Sequence, residues 1–246
     1  MVLDLRLSKR LGCREDNPSF FLYISLPLTS NLLPLTLKNL HICQFFITFA
    51  PCMEMRYDKE DLQQALKVLR EGGVILYPTD TVWGIGCDAT NADAVSRVYE
   101  IKKRVDSKAM LVLLDGAGKL QGYMQQVPET AWILLEANEG QRPMTIIYPN
   151  ARNIASNLLA EDGSIGIRIT SEPFTKALCE QLRRPIVSTS ANFSGEPAAK
   201  LFQDIASELL EKVDYVCQFR RNDHTPKQPS SIIKIDEKER ITIIRK

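Results

Sequence analysis

An α/β domain organised around one mixed sheet is the fold class the sequence predicts for residues 54–246, and three observations predict it. Apolar runs of strand length alternate with stretches of helical periodicity from residue 58 onward. Glycine, proline and small polar residues punctuate the alternation at its junctions. The composition is that of an ordinary globular chain, with 246 residues, 44% hydrophobic and 25% charged, enough for a substantial core.

The first helix starts at Asp58, a capping residue, with Asp61 three positions on favouring the N-terminal dipole. Leu62, Ala65, Leu66 and Leu69 fall at i, i+3, i+4 and i+7, and Gly72-Gly73 stops the helix. A strand follows over 74–77. Residues 92–103 form a second helix through Val95, Val98, Tyr99 and Ile101, and an apolar strand covers 110–114. The alternation continues with a helix over 129–137, strands at 145–148 and 165–169, a helix over 173–182 and a strand at 186–189. A helix over 201–211 and strands at 231–235 and 241–244 complete it. No internal repeat, low-complexity tract or interdomain linker interrupts residues 54–246.

The first 53 residues are of a different kind. Residues 17–53 carry a single charge, Lys38, and Cys13, Cys43 and Cys52 all fall in this leader. One reading is a membrane or export segment, because 19–37 is uncharged and follows Arg6, Lys9, Arg10 and Arg14. Pro27, Pro34 and the interspersed Ser, Thr and Asn break that run. The other reading is a start assigned too far upstream, since Met53 and Met55 stand directly before the first helix. Residues 1–53 are therefore treated as an atypical leader outside the domain.

Charge and rare residues exclude several functions. Thirty-one Lys and Arg against thirty Asp and Glu leave no positive excess of the kind a dedicated duplex-binding domain uses on phosphates. His41 and His224 are the two histidines, and the six cysteines (Cys13, Cys43, Cys52, Cys87, Cys179, Cys217) form no pattern with metal-ligand spacing. No metal site of the protein's own is expected. Thiols so spaced, without a convincing signal peptide, read as reduced residues of a cytoplasmic protein with no membrane partner.

Three polar segments sit at strand ends, where α/β proteins place ligand groups. In the first, over 77–88, Pro78 stops the strand, Thr79 and Thr81 bring hydroxyls to the turn, and Gly84 and Gly86 admit a close backbone. Taken alone, this is also a capped turn with packing glycines. The second, over 102–108, gathers Lys102, Lys103, Arg104 and Lys108, suited to a phosphate or carboxylate and equally to a solvated helix end. The third, over 188–195, crowds Ser188, Ser190, Asn192, Ser194 and Gly195 around a tight turn, a set of donors fit for phosphate oxygens and also ordinary turn chemistry. No GxSxG elbow surrounds these serines, and His224 reads as a surface loop residue, so a serine nucleophile is not expected.

In this order the segments resemble the YrdC/TsaC family of L-threonylcarbamoyladenylate synthases. The likeness covers residues 56–246. It rests on YPTDTVWGIGCDA at 77–89, the cations 102, 104 and 108, RPMT at 142–145, the strand IGIRIT carrying Arg168, and STSANFSG at 188–195. The resemblance implies a twisted, open sheet with flanking helices, like that of dihydroxybutanone phosphate synthase, around a positively lined pocket. It also implies a reaction in which L-threonine, bicarbonate or carbon dioxide, and ATP with Mg2+ give threonylcarbamoyl-AMP and pyrophosphate for modification of tRNA adenosine. Implied partners are a downstream threonylcarbamoyl transferase complex and tRNA itself.

By motif position, the resemblance assigns Lys102 and Arg104 to catalysis, and Thr79, Thr81, Lys108 and Arg168 to substrate. Lys102, Lys108, Thr145, Ser188, Ser190, Asn192 and Ser194 go to the nucleotide. The chain departs from the family pattern at several places. Arg142 stands where glycine is usual, either altering the pocket wall or adding an anion ligand. Trp83 replaces Tyr or Phe, Ala109-Met110 replaces Pro-Leu, and Leu113 replaces a histidine. The rival reading from another class is a non-catalytic RNA-binding module using the same basic face, with Arg183 and Arg184 extending it.

Overall fold

The computed structural model describes residues 57–103 and 110–246. The leader, Arg104, Lys108 and Ala109 lie outside the described residues. In chain order the elements are α1 (Lys59–Arg70), β1 (Ile75–Tyr77), β2 (Gly84–Gly86), α2 (Ala92–Ile101), β3 (Leu111–Leu114), α3 (Leu120–Tyr123), α4 (Glu129–Ala137) and β4 (Met144–Tyr148). They continue with β5 (Ile165–Ile169), α5 (Pro173–Leu182), β6 (Ile186–Ser190), α6 (Ser207–Leu210), β7 (Tyr215–Val216), β8 (Ser231–Ile235) and β9 (Ile241–Arg245).

Local chemistry sets the helix starts. Asp58 accepts the Glu60 amide at 2.8 Å to cap α1, and Asn91 accepts the Asp93 and Ala94 amides to cap α2. At α5, Glu172 accepts the Thr175 amide at 2.7 Å and Pro173 occupies the first helical position.

The nine strands form one sheet in the order β7-β1-β2-β6-β3-β5-β4-β8-β9. It is mixed: β1 with β7, β3 with β5 and β4 with β8 run parallel, and the other neighbours run antiparallel. Side chains alternate across the strands, so each strand serves two faces. Ile75, Tyr77, Leu113 and Ile186 point to a core shared with α1 and α5. Leu76, Val112, Leu114, Ile146, Ile167 and Val187 point to a larger core that includes Val95, Val98 and Tyr99 of α2.

Two sequence expectations change. The helix over 201–211 is broken into a 3₁₀ turn at Phe202–Asp204 and α6, with Ile205 and Ala206 extended between them. Asp204 turns back to accept the Leu201 amide at 3.0 Å, and Ile205 is buried in the core, so a local bond and burial outcompete a continuous helix. The glycine-bearing turn at 84–86 is a central strand, β2. Its signal was present in the alternation of Trp83, Ile85 and Cys87, all buried in the α2-side core, against glycines on the other face.

Candidate active site

The α1/α5 side of the sheet is only partly covered. Along β6 the residues on that face are Ile186, Ser188 and Ser190. Ile186 lies in the core with α1 and α5, and the two serines run beyond it into an open cleft. Register carries polar groups from neighbouring strands to the same face: Arg168 pairs with Leu113 on one side and Thr145 on the other, Ser188 with Leu111, and Ser190 with Gly84. The result is a cleft of about 260 Å³ lined by Thr81, Trp83, Gly84, Met110, Leu111, Arg168, Ser188, Ser190, Ser230 and Arg245. An adjoining space of about 610 Å³ shares Met110 and Leu111 and includes Thr145.

Arg168 is the buried charge of this cleft, 3% exposed. It forms an ion pair with Asp80 across 3.0 Å, but the pair is not aligned for hydrogen bonding: Arg168 Nε and Nη2 and Asp80 Oδ1 have no hydrogen-bond partner. A buried guanidinium with unused donors is the kind of group that an anionic ligand satisfies.

The first motif forms a self-contained hydroxyl relay. Thr79 Oγ1 donates to the Val82 carbonyl at 2.7 Å, accepts the Thr81 amide at 3.0 Å, and lies 3.0 Å from Thr81 Oγ1. With its one proton directed to Val82, Thr79 can only accept from the Thr81 hydroxyl. The Thr81 oxygen then offers lone pairs to the cleft, suiting a ligand that donates, such as an amine or alcohol. The turn is held from outside by Thr175, whose hydroxyl donates to the Pro78 carbonyl at 2.8 Å, and by Arg220, which donates to the Thr79 carbonyl at 2.9 Å. Thr145 and Ser230 share a hydrogen bond of 2.8 Å at the floor.

Lys102 sits behind this cleft. It is 2% exposed, and its ammonium donates to the carbonyls of Ser190 and Asn192 at 2.5 and 2.7 Å. Its own carbonyl accepts the Ser194 amide at 3.0 Å. The end of α2 is thus stitched to the third motif, and the structure places Lys102 on backbone oxygens of that motif. Asn192 directs its amide to the carbonyls of Phe193 and Glu196, and Ser194 is exposed. Of the sequence-derived set, Thr81, Arg168, Ser188 and Ser190 meet in the cleft and Thr145 in the space beside it. Thr79, Lys102, Asn192 and Ser194 stand around them.

The departures also find places. Leu113 is fully buried among α1 and α5, Met110 and Trp83 line the cleft, and Arg142 donates to the Pro229 carbonyl at 3.1 Å. The Arg142 side chain lines a separate cavity with Asp80 and Asp115. Sequence reasoning missed Asp80, Ser230 and Arg245. Asp80 stood inside a quoted motif, and its pairing with Arg168 needed the fold. Ser230, just before β8, and Arg245 of β9 come from far along the chain and carried no local signal.

Acid–base groups are scarce here. Among the described residues His224 is exposed, no cluster of three Asp, Glu, His or Cys is placed to hold a metal ion, and no helix is long and apolar enough to cross a membrane. Burial pushes the thiols of Cys87, Cys179 and Cys217 well up, which keeps them protonated.

The family model described as "Telomere recombination", that of the Sua5, YciO and YrdC domain, matches residues 67–246. The chain belongs to this family. A threonylcarbamoyl-AMP synthase of Pseudoalteromonas translucida is 33% identical over 179 residues, covering 71% of this chain and 93% of that relative. One from Pseudomonas aeruginosa is 37% identical over 154 residues, covering 63% and 82%. Among solved structures, E. coli YciO superposes with a TM-score of 0.66 at 26% identity, covering 77% of this chain and 90% of YciO. P. abyssi Sua5 gives a TM-score of 0.67 at 24% identity and shares the fold; this chain spans 55% of that protein's length. The Sua5/YciO/YrdC fold therefore accounts for the open mixed sheet and its flanking helices.

Proposed function

We propose that this chain is a nucleotidyltransferase that makes L-threonylcarbamoyl-AMP and pyrophosphate from L-threonine, bicarbonate or carbon dioxide, and ATP. The observation that carries the reading is Arg168, buried in a hydroxyl-lined cleft with donors unused. The naming of curated relatives as threonylcarbamoyl-AMP synthases supports the choice of reaction.

The chemistry asks for positioning more than for acid–base groups. Threonine's amine adds to carbon dioxide with loss of a proton, or to bicarbonate with loss of water, and the resulting carbamate oxygen attacks the α-phosphorus of ATP as the bond to pyrophosphate breaks. Arg168 holds an anionic end of the substrates, Ser188, Ser190 and the Thr145–Ser230 pair serve the nucleotide's oxygens, and Thr81 receives the amino acid's donors. Held in this way, the reactants meet without a covalent enzyme intermediate. Arg104 and Lys108 are proposed as further phosphate and carboxylate ligands from the adjoining segment. Mg2+ would enter with ATP and supply positive charge against its phosphates; among the described residues no cluster of three Asp, Glu, His or Cys is placed to hold the ion itself. The product is a reactive mixed anhydride, to be consumed by a transferase complex that modifies tRNA adenosine in the cytoplasm.

An amino-acid panel tests the substrate. Pyrophosphate release from Mg-ATP and bicarbonate is expected with L-threonine and much less with serine or glycine, and Arg168→Ala should abolish it. Release driven best by another amino acid would replace threonine. Salt-sensitive tRNA binding with no release at all would favour the RNA-binding alternative, which the burial of Lys102 and the pairing of Arg184 with Asp88 at 2.6 Å do not support.

A further inference from the structure

We infer that Arg220 and Arg221 brace the two ends of the Thr79–Trp83 turn, and that this brace, anchored through Asp61, sets the affinity of the cleft for the amino acid. The inference rests on the synthase reading above. Neither arginine lines the 260 Å³ cleft, although Arg220 faces a small recess that shares Thr81, Val82 and Trp83 with it, and both act through the turn they hold, as positioning residues.

The anchor is a buried carboxylate on α1. Asp61 is 3% exposed, and its two oxygens accept from the Tyr215 hydroxyl at 2.7 Å, from the Gln218 amide at 2.9 and 3.0 Å, and from the Phe219 amide at 2.8 Å. The Phe219 ring stacks on Phe174 of α5 with centroids 5.5 Å apart. The segment following β7 is thereby fixed to both helices on this side of the sheet.

From that fixed point two consecutive side chains reach the same turn. Arg220 adopts a left-handed backbone (φ 63°), which a non-glycine residue holds only where its surroundings determine it. Its Nη1 donates to the Thr79 carbonyl at 2.9 Å, and its Nε and Nη2 donate to Asp223 at 3.0 and 2.7 Å, which orients the guanidinium. Arg221 is tied by Nε to the Cys217 carbonyl at 2.8 Å and lies 5.0 Å from the centre of the Phe202 ring. Phe202 in turn packs on Trp83 at 4.9 Å. One arginine thus holds Thr79 and the other, through Phe202, holds Trp83. Thr81, which offers its lone pairs to the cleft, is suspended between them. A charged hydrogen bond to the Thr79 carbonyl fixes the residue whose hydroxyl receives the Thr81 proton, so it acts on the direction of Thr81.

The test uses the full chain with Arg220→Ala and Arg220→Lys. For Arg220→Ala the KM for L-threonine should rise roughly tenfold, the scale of one lost charged hydrogen bond, with the KM for ATP and the melting temperature close to wild type. Arg220→Lys should recover part of the loss. An unchanged KM for threonine would overturn the inference, as would a joint fall of kcat, both affinities and melting temperature, which marks a merely structural role. Should the wild type show no threonine-dependent turnover, the synthase reading fails on its own, and hydrogen exchange still reads the brace. Faster exchange of the Thr81 amide in Arg220→Ala upholds the bracing contact, and unchanged exchange overturns it.

Discussion

A methyl group added at Gly86 would sit 1.9 Å from the Val187 carbonyl oxygen and 2.9 Å from the Tyr77 ring. Both neighbours are fixed, since Tyr77 is fully buried and its hydroxyl donates to that same carbonyl at 2.9 Å. Gly86→Ala should therefore destabilise the protein by about 3 kcal/mol, the upper part of the usual range for overpacking, read as a lower urea midpoint. A wild-type midpoint would mean that β2 can move away from β6. Lys102 poses a different question at the same scale. Replacing it with Met keeps the stem and removes the ammonium, leaving the Ser190 and Asn192 carbonyls without that donor. A buried acceptor left unsatisfied costs about 1–3 kcal/mol, so Lys102→Met should lose stability together with turnover. Lost turnover at full stability would assign the ammonium to substrate instead of to the loop.

Elements joined by single carboxylates should respond to pH. Asp162, between the 3₁₀ turn at Ser156–Leu158 and β5, accepts from Lys234 of β8 at 2.7 Å and from the Ser164 hydroxyl and amide. The Lys234 ammonium first, and then the Ser164 hydroxyl, hold its carboxyl down to about 2 from an ordinary 3.8. A lowered acid favours the folded state only while ionised, so this link is complete above pH 4 and is lost as pH falls toward 2. Asp162→Asn should lower the melting temperature at pH 6, and its difference from wild type should shrink between pH 4 and pH 2. A difference independent of pH would locate the effect in packing. At this scale the sequence was most legible where one local rule acted. Capping, periodicity and Gly72-Gly73 identify α1, and the helices over 129–137 and 173–182 match α4 and α5. It was least legible where partners are distant or local rules conflict, as at Asp204, which caps a turn and splits the helix read over 201–211.

For the whole molecule, the cleft is a consequence of sheet order. Strands β2, β6, β3, β5 and β4 stand side by side, and register aligns Gly84 with Ser190, Leu111 with Ser188, and Arg168 with Thr145 on the face that α1 and α5 leave open. The polar motifs could be picked out in the sequence as ligand-binding segments, because turns rich in hydroxyls and cations follow apolar strands. Which of their side chains face the cleft could not, because facing depends on parity within each strand and on crossovers. Ser188 and Ser190 share a face by alternation, whereas Lys102 turns inward to the loop it supports. Arg168 was picked out by its motif, and the fold added Asp80 beside it at 3.0 Å without a hydrogen bond. The central claim is that this cleft joins an amino-acid carbamate to AMP. The most direct measurement is incorporation of carbon-labelled bicarbonate into an AMP-linked product by the full chain with Mg-ATP, with and without L-threonine. Label in a threonylcarbamoyl adenylate, formed in step with pyrophosphate and absent in Arg168→Ala, is the predicted result; an adenylate formed without the labelled carbon, or no adenylate at all, would contradict it.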